Sequence, residues 1–492
     1  MERLKEAKPQ FDTRPFAPPG KYFSETFQRM ALELHHLVTE YGIQNTRAQP
    51  ETREEFLAFF AHVHDGWKEA QRRIATLLTD RLVRRSEVAA LEQQRRRLKD
   101  KDGQRAARLQ LQQLGLEIVV LRRTLDVILW TIFAGEHSTL RRLFVQGGQH
   151  NLSAKNIADA MSAAEHVNKE PQVMGLCTDM LSAVHVGDLL IANRETGEVQ
   201  FAELKSGERN FAITAVAEFA VQSKCAHFEH IATAEFDETD KKHYTRVKRQ
   251  AQRNETIVET IRNEGGSDPS TGAQVFIHPT EEPTEIWTHV ITSCYEQLSE
   301  RKSWAIDVVD GCLYVGVYSS QKMAFVGFQA WMAREKCESR IYNLTDSFFD
   351  PGTRPLGATL LPFQLREKVL RGEILVIMCL DIVKMIELAN HMQPGHMRLA
   401  TKKETAKMLQ KHPMGDFTLK GLLVKTNEGS GQSMFLGGGF RDRILFDQQR
   451  PAQLIAQYIR SSAVLHEAIV AQHAGKGGTE TPGAKPPGVE GS

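Results

Sequence analysis

The sequence predicts a mixed α/β chain with a helical N-terminal part, an alternating α/β centre and an α+β C-terminal part. Three observations carry that prediction. Apolar residues recur at helical spacing from Ser24 to about His137. Between Asn151 and about Gln321, short apolar runs alternate with helical patterns. Beyond that, to about His473, come buried-looking runs such as GEILVIMCLDIVKMIEL and LKGLLVKT. At 492 residues the chain has the length for roughly two to four domains.

Taken in order, residues 1–22 read as an irregular arm and 23–150 as a helical domain. In the latter, the break at Asp100–Gly103 divides one long pattern into two helices of a coiled-coil hairpin. Residues 151–321 form the α/β unit and 322–473 a C-terminal α+β domain. The Gly/Pro-rich stretch 474–492 has almost no large apolar residue and is expected to be disordered. Within the helical part, FLAFFAHV and VILWTIFAG are apolar enough for a helix–helix core or for an interface with a second copy or a partner protein. The pairs in LHH (34–36) and HVH (62–64) read as partly exposed packing histidines.

Composition excludes several classes. The net charge is only +1, so any nucleic-acid surface must arise from local clustering. The six cysteines stand singly without a CxxC pair, which argues against a zinc ribbon or a disulfide framework and for reduced thiols. The N-terminus is charged and Pro-rich with no signal-like apolar stretch, and no apolar run approaches about 18 residues. The expectation is a cytoplasmic chain with no membrane partner. GGQH (147–150) and GSGQSMFLGGGF (429–440) lack the G-K-[ST] of a phosphate-binding loop and read as plain loops.

The chemistry concentrates in HVGDLLIANRETGEVQFAELKSG, residues 185–207. Asp188 opens a buried strand, NRETGE forms a turn, and Val199–Lys205 reads as the returning strand. Alternation places Val199, Phe201, Glu203 and Lys205 on one face, and pairing across the turn brings Asp188 opposite their end. Two carboxylates and an ammonium then converge. Hard divalent cations such as Mg²⁺ or Mn²⁺ take oxygen ligands of this kind. A cation held there would polarise a phosphodiester and acidify a bound water, while Lys205 would orient that water or offset developing charge. The E-x-K triplet alone also occurs at Glu6–Lys8 and Glu300–Lys302, so the strand context is what singles it out. The residues by themselves leave open a salt-bridged hairpin with solvated ends.

The order Gly187-Asp188-LLIA…VQFA-Glu203-Leu204-Lys205 resembles the motif of the PD-(D/E)XK nuclease superfamily. The resemblance spans about residues 151–320 and implies a restriction-endonuclease-like α-β core. It implies metal binding by Asp188 and Glu203, with Glu165 of the preceding helix SAKNIADAMSAAEHV as an added acidic ligand. Lys205 and Gln250 would complete the catalytic set, with Gln222 the competitor for the glutamine position. The helix and hairpin EIWTHVITSCYEQLSERKSWAIDVVDGCLYVGVY, turning at Asp310-Gly311, fit the closing elements of such a core. The residue before Asp188 is Gly187 where the motif has proline.

A phosphate path is offered by Lys242, Arg246, Arg249 and Arg253, one stripe of the long helix beside the site. Four acidic residues, Glu235, Asp237, Glu238 and Asp240, precede it. A second basic run at the hairpin tip reads either as a backbone grip or as a solvated coiled-coil end. The resulting expectation is a Mg²⁺-dependent (or Mn²⁺-dependent) nuclease, with DNA favoured over RNA, of a kind found in restriction or anti-phage defence. The alternative is a non-catalytic nucleic-acid-binding or scaffold protein.

Overall fold

A computed structural model of the chain describes residues 23–40, 52–135, 139–140, 143, 152–184, 187–204, 208–263, 265–267, 274–276, 283–411, 417–427 and 433–461. The expected arm (1–22) and tail (474–492) lie outside them, as does Lys205. The described residues form a mixed helix-and-sheet fold with a helical N-terminal region and several antiparallel sheets.

Three helices lead the chain: α1 (Glu25–Glu40), α2 (Arg53–Arg97) and α3 (Lys101–Ile132). Thr52 and Glu55 form a capping box that starts α2, each side chain taking the other's backbone N–H at 3.2 Å. Asp100 accepts from the Gly103 N–H at 2.9 Å and starts α3. The two long helices are therefore a hairpin turning at residues 98–100, as the sequence pattern predicts. At 1.5 Å per residue they run about 67 and 48 Å.

The lower half of this hairpin is not a separate domain. Trp67, Ile74 and Leu78 of α2 and Leu121, Leu125 and Ile128 of α3 share one core with the next helix and the first two strands. That core includes Ile157 and Ala164 of α4 (Ala154–Val167), Met174 and Leu176 of β1 (Val173–Cys177), and Leu189 and Leu190 of β2 (Leu189–Asn193). The boundary expected at residue 150 is thus not a boundary of the core. Gln71 explains the join: its side-chain amide donates to Gly175 O at 2.9 Å and accepts from Cys177 N at 2.8 Å. This glutamine of α2 and Asn168, which accepts from Gly175 N at 2.7 Å, together fill the outer bonding edge of β1. The run Val127–Trp130 is likewise buried within the chain, as core rather than interface.

β2 pairs antiparallel with β1 and with β3 (Glu198–Ala202), giving the order β1-β2-β3. Three helices come next: α5 (Glu208–Ser223), α6 (Ala226–Ala232) and α7 (Glu238–Arg262). Ile213 and Ala217 of α5 bury against Tyr244 and Val247 of α7 in a small core of their own. Two short strands, β4 (Gly265–Ser267) and β5 (Gln274–Phe276), pair with each other.

A second core begins at Trp287. It is built on α8 (Thr288–Glu296), β6 (Trp304–Val309), β7 (Leu313–Tyr318), β8 (Ile341–Asn343), α10 (Phe363–Leu370) and β9 (Leu375–Leu380), while α9 (Gln321–Arg334) packs Phe328 and Trp331 on Tyr314, Tyr318 and Ile377 in a separate cluster. Asp310 and Gly311 both take positive φ, 49° and 71°, as a type I′ turn between β6 and β7 requires. That hairpin does not close the β1-β2-β3 sheet, contrary to the expectation for residues 304–318. It joins a sheet of order β6-β7-β9-β8. The physical reason is burial: all six residues of β7 and of β9 are buried, so each needs an apolar neighbour. The outer strand β3 is exposed over Glu198–Gln200 and offers none. The chain continues through α11 (Ile382–Met392), a small antiparallel sheet and a helical stretch at 451–461. No helix among the described residues is long and apolar enough to cross a membrane.

Candidate active site at the end of the β2–β3 hairpin

The hairpin closes on Asn193, whose side-chain oxygen accepts from the N–H groups of Glu195 (2.9 Å) and Thr196 (3.3 Å). With that turn set, Leu189 pairs with Ala202 and Ile191 with Gln200. The same register carried one step further sets Asp188 against Glu203. The Asp188 N–H donates to Ala202 O at 2.9 Å, and its carboxylate Oδ2 accepts from the Leu204 N–H at 2.7 Å. β3 therefore ends at Ala202, three residues short of the expected Lys205, because a side chain replaces the next ladder bond.

Gly187 explains why this strand opens without proline. Its φ is +68°, which the proline ring cannot adopt. A Cβ there would also meet Ala202 O at 3.2 Å and Phe201 Cβ at 3.3 Å. The Thr178 hydroxyl donates to the Gly187 carbonyl, and the Thr178 N–H donates to Asp188 O at 3.1 Å. The departure from the motif is thus a property of the backbone at the site.

α7 brings the next group. Arg209 of α5 binds both carboxylate oxygens of Asp240 and reaches Asp237 at 3.1 Å, tying the two helix starts together. Further along, Gln250 Nε2 donates to Glu203 Oε1 at 2.6 Å. The competing Gln222 is exposed on α5. Arg253, one turn beyond Gln250, is half-buried; burial holds its guanidinium below the usual arginine range and the Glu203 charge opposes that shift. It belongs with Glu203 rather than with the exposed stripe, which retains Lys242, Arg246 and Arg249. The acidic run before this stripe is partly neutralised, since Asp237 and Asp240 are held by Arg209.

Glu165 lies on an exposed turn of α4, beside a cavity of about 290 Å³ lined also by Lys68, Arg72 and Lys169. Glu165 and Asp188 both act on one buried neighbour, Cys177. The buried Cys177 thiol is pushed up by burial first, and then by Asp179, Asp188 and Glu165 in that order. Asp179, in the turn just after β1, is a neighbour that sequence reasoning missed; nothing in TDM distinguishes it from a surface turn. Lys205 falls outside the described residues.

Asp188, Glu203, Gln250 and Arg253 are thus brought together, and Glu165 stands to one side. Asp188 accepts from the Leu204 N–H and Glu203 from the Gln250 amide, both neutral donors. A pair of carboxylates so placed fits Mg²⁺, which binds through one or two carboxylates and keeps several waters. Among the described residues no group of three His, Cys, Asp or Glu side chains is placed to hold an ion. Compared with known proteins, the chain matches no protein-family model, no characterised protein and no solved structure.

Proposed function

We propose that this chain is a metal-dependent nuclease of PD-(D/E)XK type that hydrolyses phosphodiester bonds, with DNA as substrate and a restriction-endonuclease-like core running from α4 to α7. One observation carries the reading. Gln250, nominated with Glu203 by the superfamily resemblance, donates to that glutamate across 47 residues, at the same strand end where Asp188 caps Leu204. A salt-bridged surface hairpin has no need of a glutamine from a distant helix. Asp188 and Glu203 would hold Mg²⁺ or Mn²⁺, which would supply Lewis acidity and an acidified water. Gln250 orients Glu203, Arg253 balances its charge, and Lys205 is assigned the attacking water. The exposed cations Lys242, Arg246 and Arg249 would hold phosphates beside the site. A role in restriction or anti-phage defence rests on analogy with the superfamily.

The second reading is a nuclease-like fold kept for binding alone. It is favoured by Arg253, whose positive charge lies near Glu203 and competes with a cation for it. Incubation with plasmid, linear duplex, single-stranded DNA and RNA, in Mg²⁺, Mn²⁺ or chelator, separates the two. Cleavage that needs the cation and is lost in Asp188→Asn supports the enzyme. Binding without cleavage of any substrate supports the scaffold.

A further inference from the structure

The tip of the α2–α3 hairpin takes no part in the β2–β3 site, yet it carries a dense cluster of positive charge. Between Arg84 and Arg108 there are nine basic residues against four acidic ones, while the whole chain has a net charge of +1. Two of the acids are already engaged: Asp100 with Arg95 at 2.9 Å and Glu92 with Arg108 at 3.1 Å. Arg96, Arg97, Lys99, Lys101 and Arg105 are all exposed and make no ion pair among the described residues. Lys99 is held in a left-handed turn conformation, φ 57°, which projects the turn between the two helix ends.

The arm is braced. Val88, Ala107 and Leu114 form a small core between the helices, Gln104 donates to Glu92 at 2.7 Å, and Arg81 pairs with Glu117 at 2.7 Å. Its root is fixed where Gln71 bonds to β1. Arg97 lies 26 residues further along α2, about 39 Å at 1.5 Å per residue. That reach corresponds to roughly 11 base pairs of duplex at 3.4 Å each.

We propose that the hairpin tip is a second contact for double-stranded DNA, gripping the phosphate backbone about one helical turn from the β1 edge on which Gln71 anchors the arm. Duplex is favoured over single strands by composition. Residues 79–113 contain no Phe, Tyr, Trp or His, so the tip lacks the aromatic platforms on which single-strand binders stack unpaired bases. Phosphate recognition without base reading needs only cations on a rigid support. The inference deepens the nuclease reading and rests on it for the substrate, but its test reads binding and not cleavage.

The test is fluorescence-anisotropy binding of the full chain to DNA in chelator, over a range of salt, with duplexes of about 30 and about 8 base pairs. The variant combines Arg97→Gln, Lys99→Asn and Lys101→Gln, the asparagine being chosen because it tolerates a positive φ. Three lost phosphate contacts should weaken binding of the long duplex roughly tenfold or more at about 0.1 M salt and flatten the log–log salt slope by about 2.7. The short duplex, which cannot span site and tip together, should show a smaller loss. Circular dichroism and thermal unfolding of the variant confirm that the arm is intact. Unchanged affinity and slope in a folded variant, or tighter binding to single strands or duplex RNA, overturns the proposal. A tip effect on duplex binding in a wild type that cleaves no substrate with Mg²⁺ or Mn²⁺ overturns the nuclease reading alone.

Discussion

Gln250 on α7 donates through Nε2 to Glu203 Oε1 at 2.6 Å, joining a helix to the end of a strand 47 residues earlier. The bond fixes which way the glutamate carboxylate faces. Residues that orient a metal ligand typically cost about 10–100-fold in affinity or activity when removed. Gln250→Ala should therefore raise the Mg²⁺ concentration for half-maximal cleavage by about that factor and leave duplex binding in chelator unchanged. An unaltered metal dependence would mean that the bond is structural only.

Gly187 should resist substitution for a backbone reason. Its φ of +68° and the close approach of Ala202 O at 3.2 Å penalise any Cβ. Gly187→Ala should cost about 1–2 kcal/mol in urea unfolding, and Gly187→Pro, the residue of the superfamily motif, should cost more. A proline variant as stable as wild type would contradict this account of the turn.

Arg123 and Asp126 form a fully buried pair on α3, at 2.8 Å, that ties three segments together. Arg123 donates to Ser347 O (3.0 Å) and Thr353 O (2.7 Å) of the C-terminal part, while Asp126 accepts from Ser182 N at 2.9 Å. Removing one partner leaves the other charge buried and unpaired. Arg123→Met should destabilise by about 3–5 kcal/mol and expose the 347–353 loop to limited proteolysis. A loss under about 1 kcal/mol would show that the junction relaxes and admits water.

The histidines read from the sequence as partly exposed are instead buried at His35 and His64. Burial chiefly, with Arg194 and Lys68 nearby, lowers His64 to about 4; burial and Arg366 lower His35 well below its ordinary value. Both are neutral in the fold and would bind protons on unfolding. Stability is therefore full above about pH 6.5 and is lost as pH falls from there toward about 4. His64 alone should cost about 2 kcal/mol by about pH 5. Thermal unfolding from pH 7.5 to 5 checks this, and His64→Gln should flatten the curve. An equally steep decline in that variant would assign the effect elsewhere.

Local pattern made the geometry at this strand end legible. Strand alternation and one turn suffice to predict that Asp188 meets Glu203, and the superfamily resemblance of the long helix nominates Gln250. What was not legible depends on partners distant in sequence. Nothing in β6 and β7 says which sheet they join; the buried β9, some 60 residues on, decides it. Gln71 reads as an ordinary helix residue until β1 needs its edge filled. Arg253 reads as one more cation of a stripe because its burial beside Glu203 depends on a strand some 50 residues earlier. The glycine before Asp188 reads as a lapse from the motif until its positive φ is known.

The central claim, a metal-dependent nuclease centred on Asp188 and Glu203, is tested most directly by single-turnover cleavage of plasmid DNA with Mg²⁺, comparing wild type with Glu203→Gln. The substitution keeps size and an acceptor for Gln250 but removes the charge. Metal-dependent nicking in wild type that falls by about 100-fold or more in Glu203→Gln is the predicted result. Equal nicking in both proteins would contradict it, as would no Mg²⁺- or Mn²⁺-dependent nicking by a folded, DNA-bound wild type.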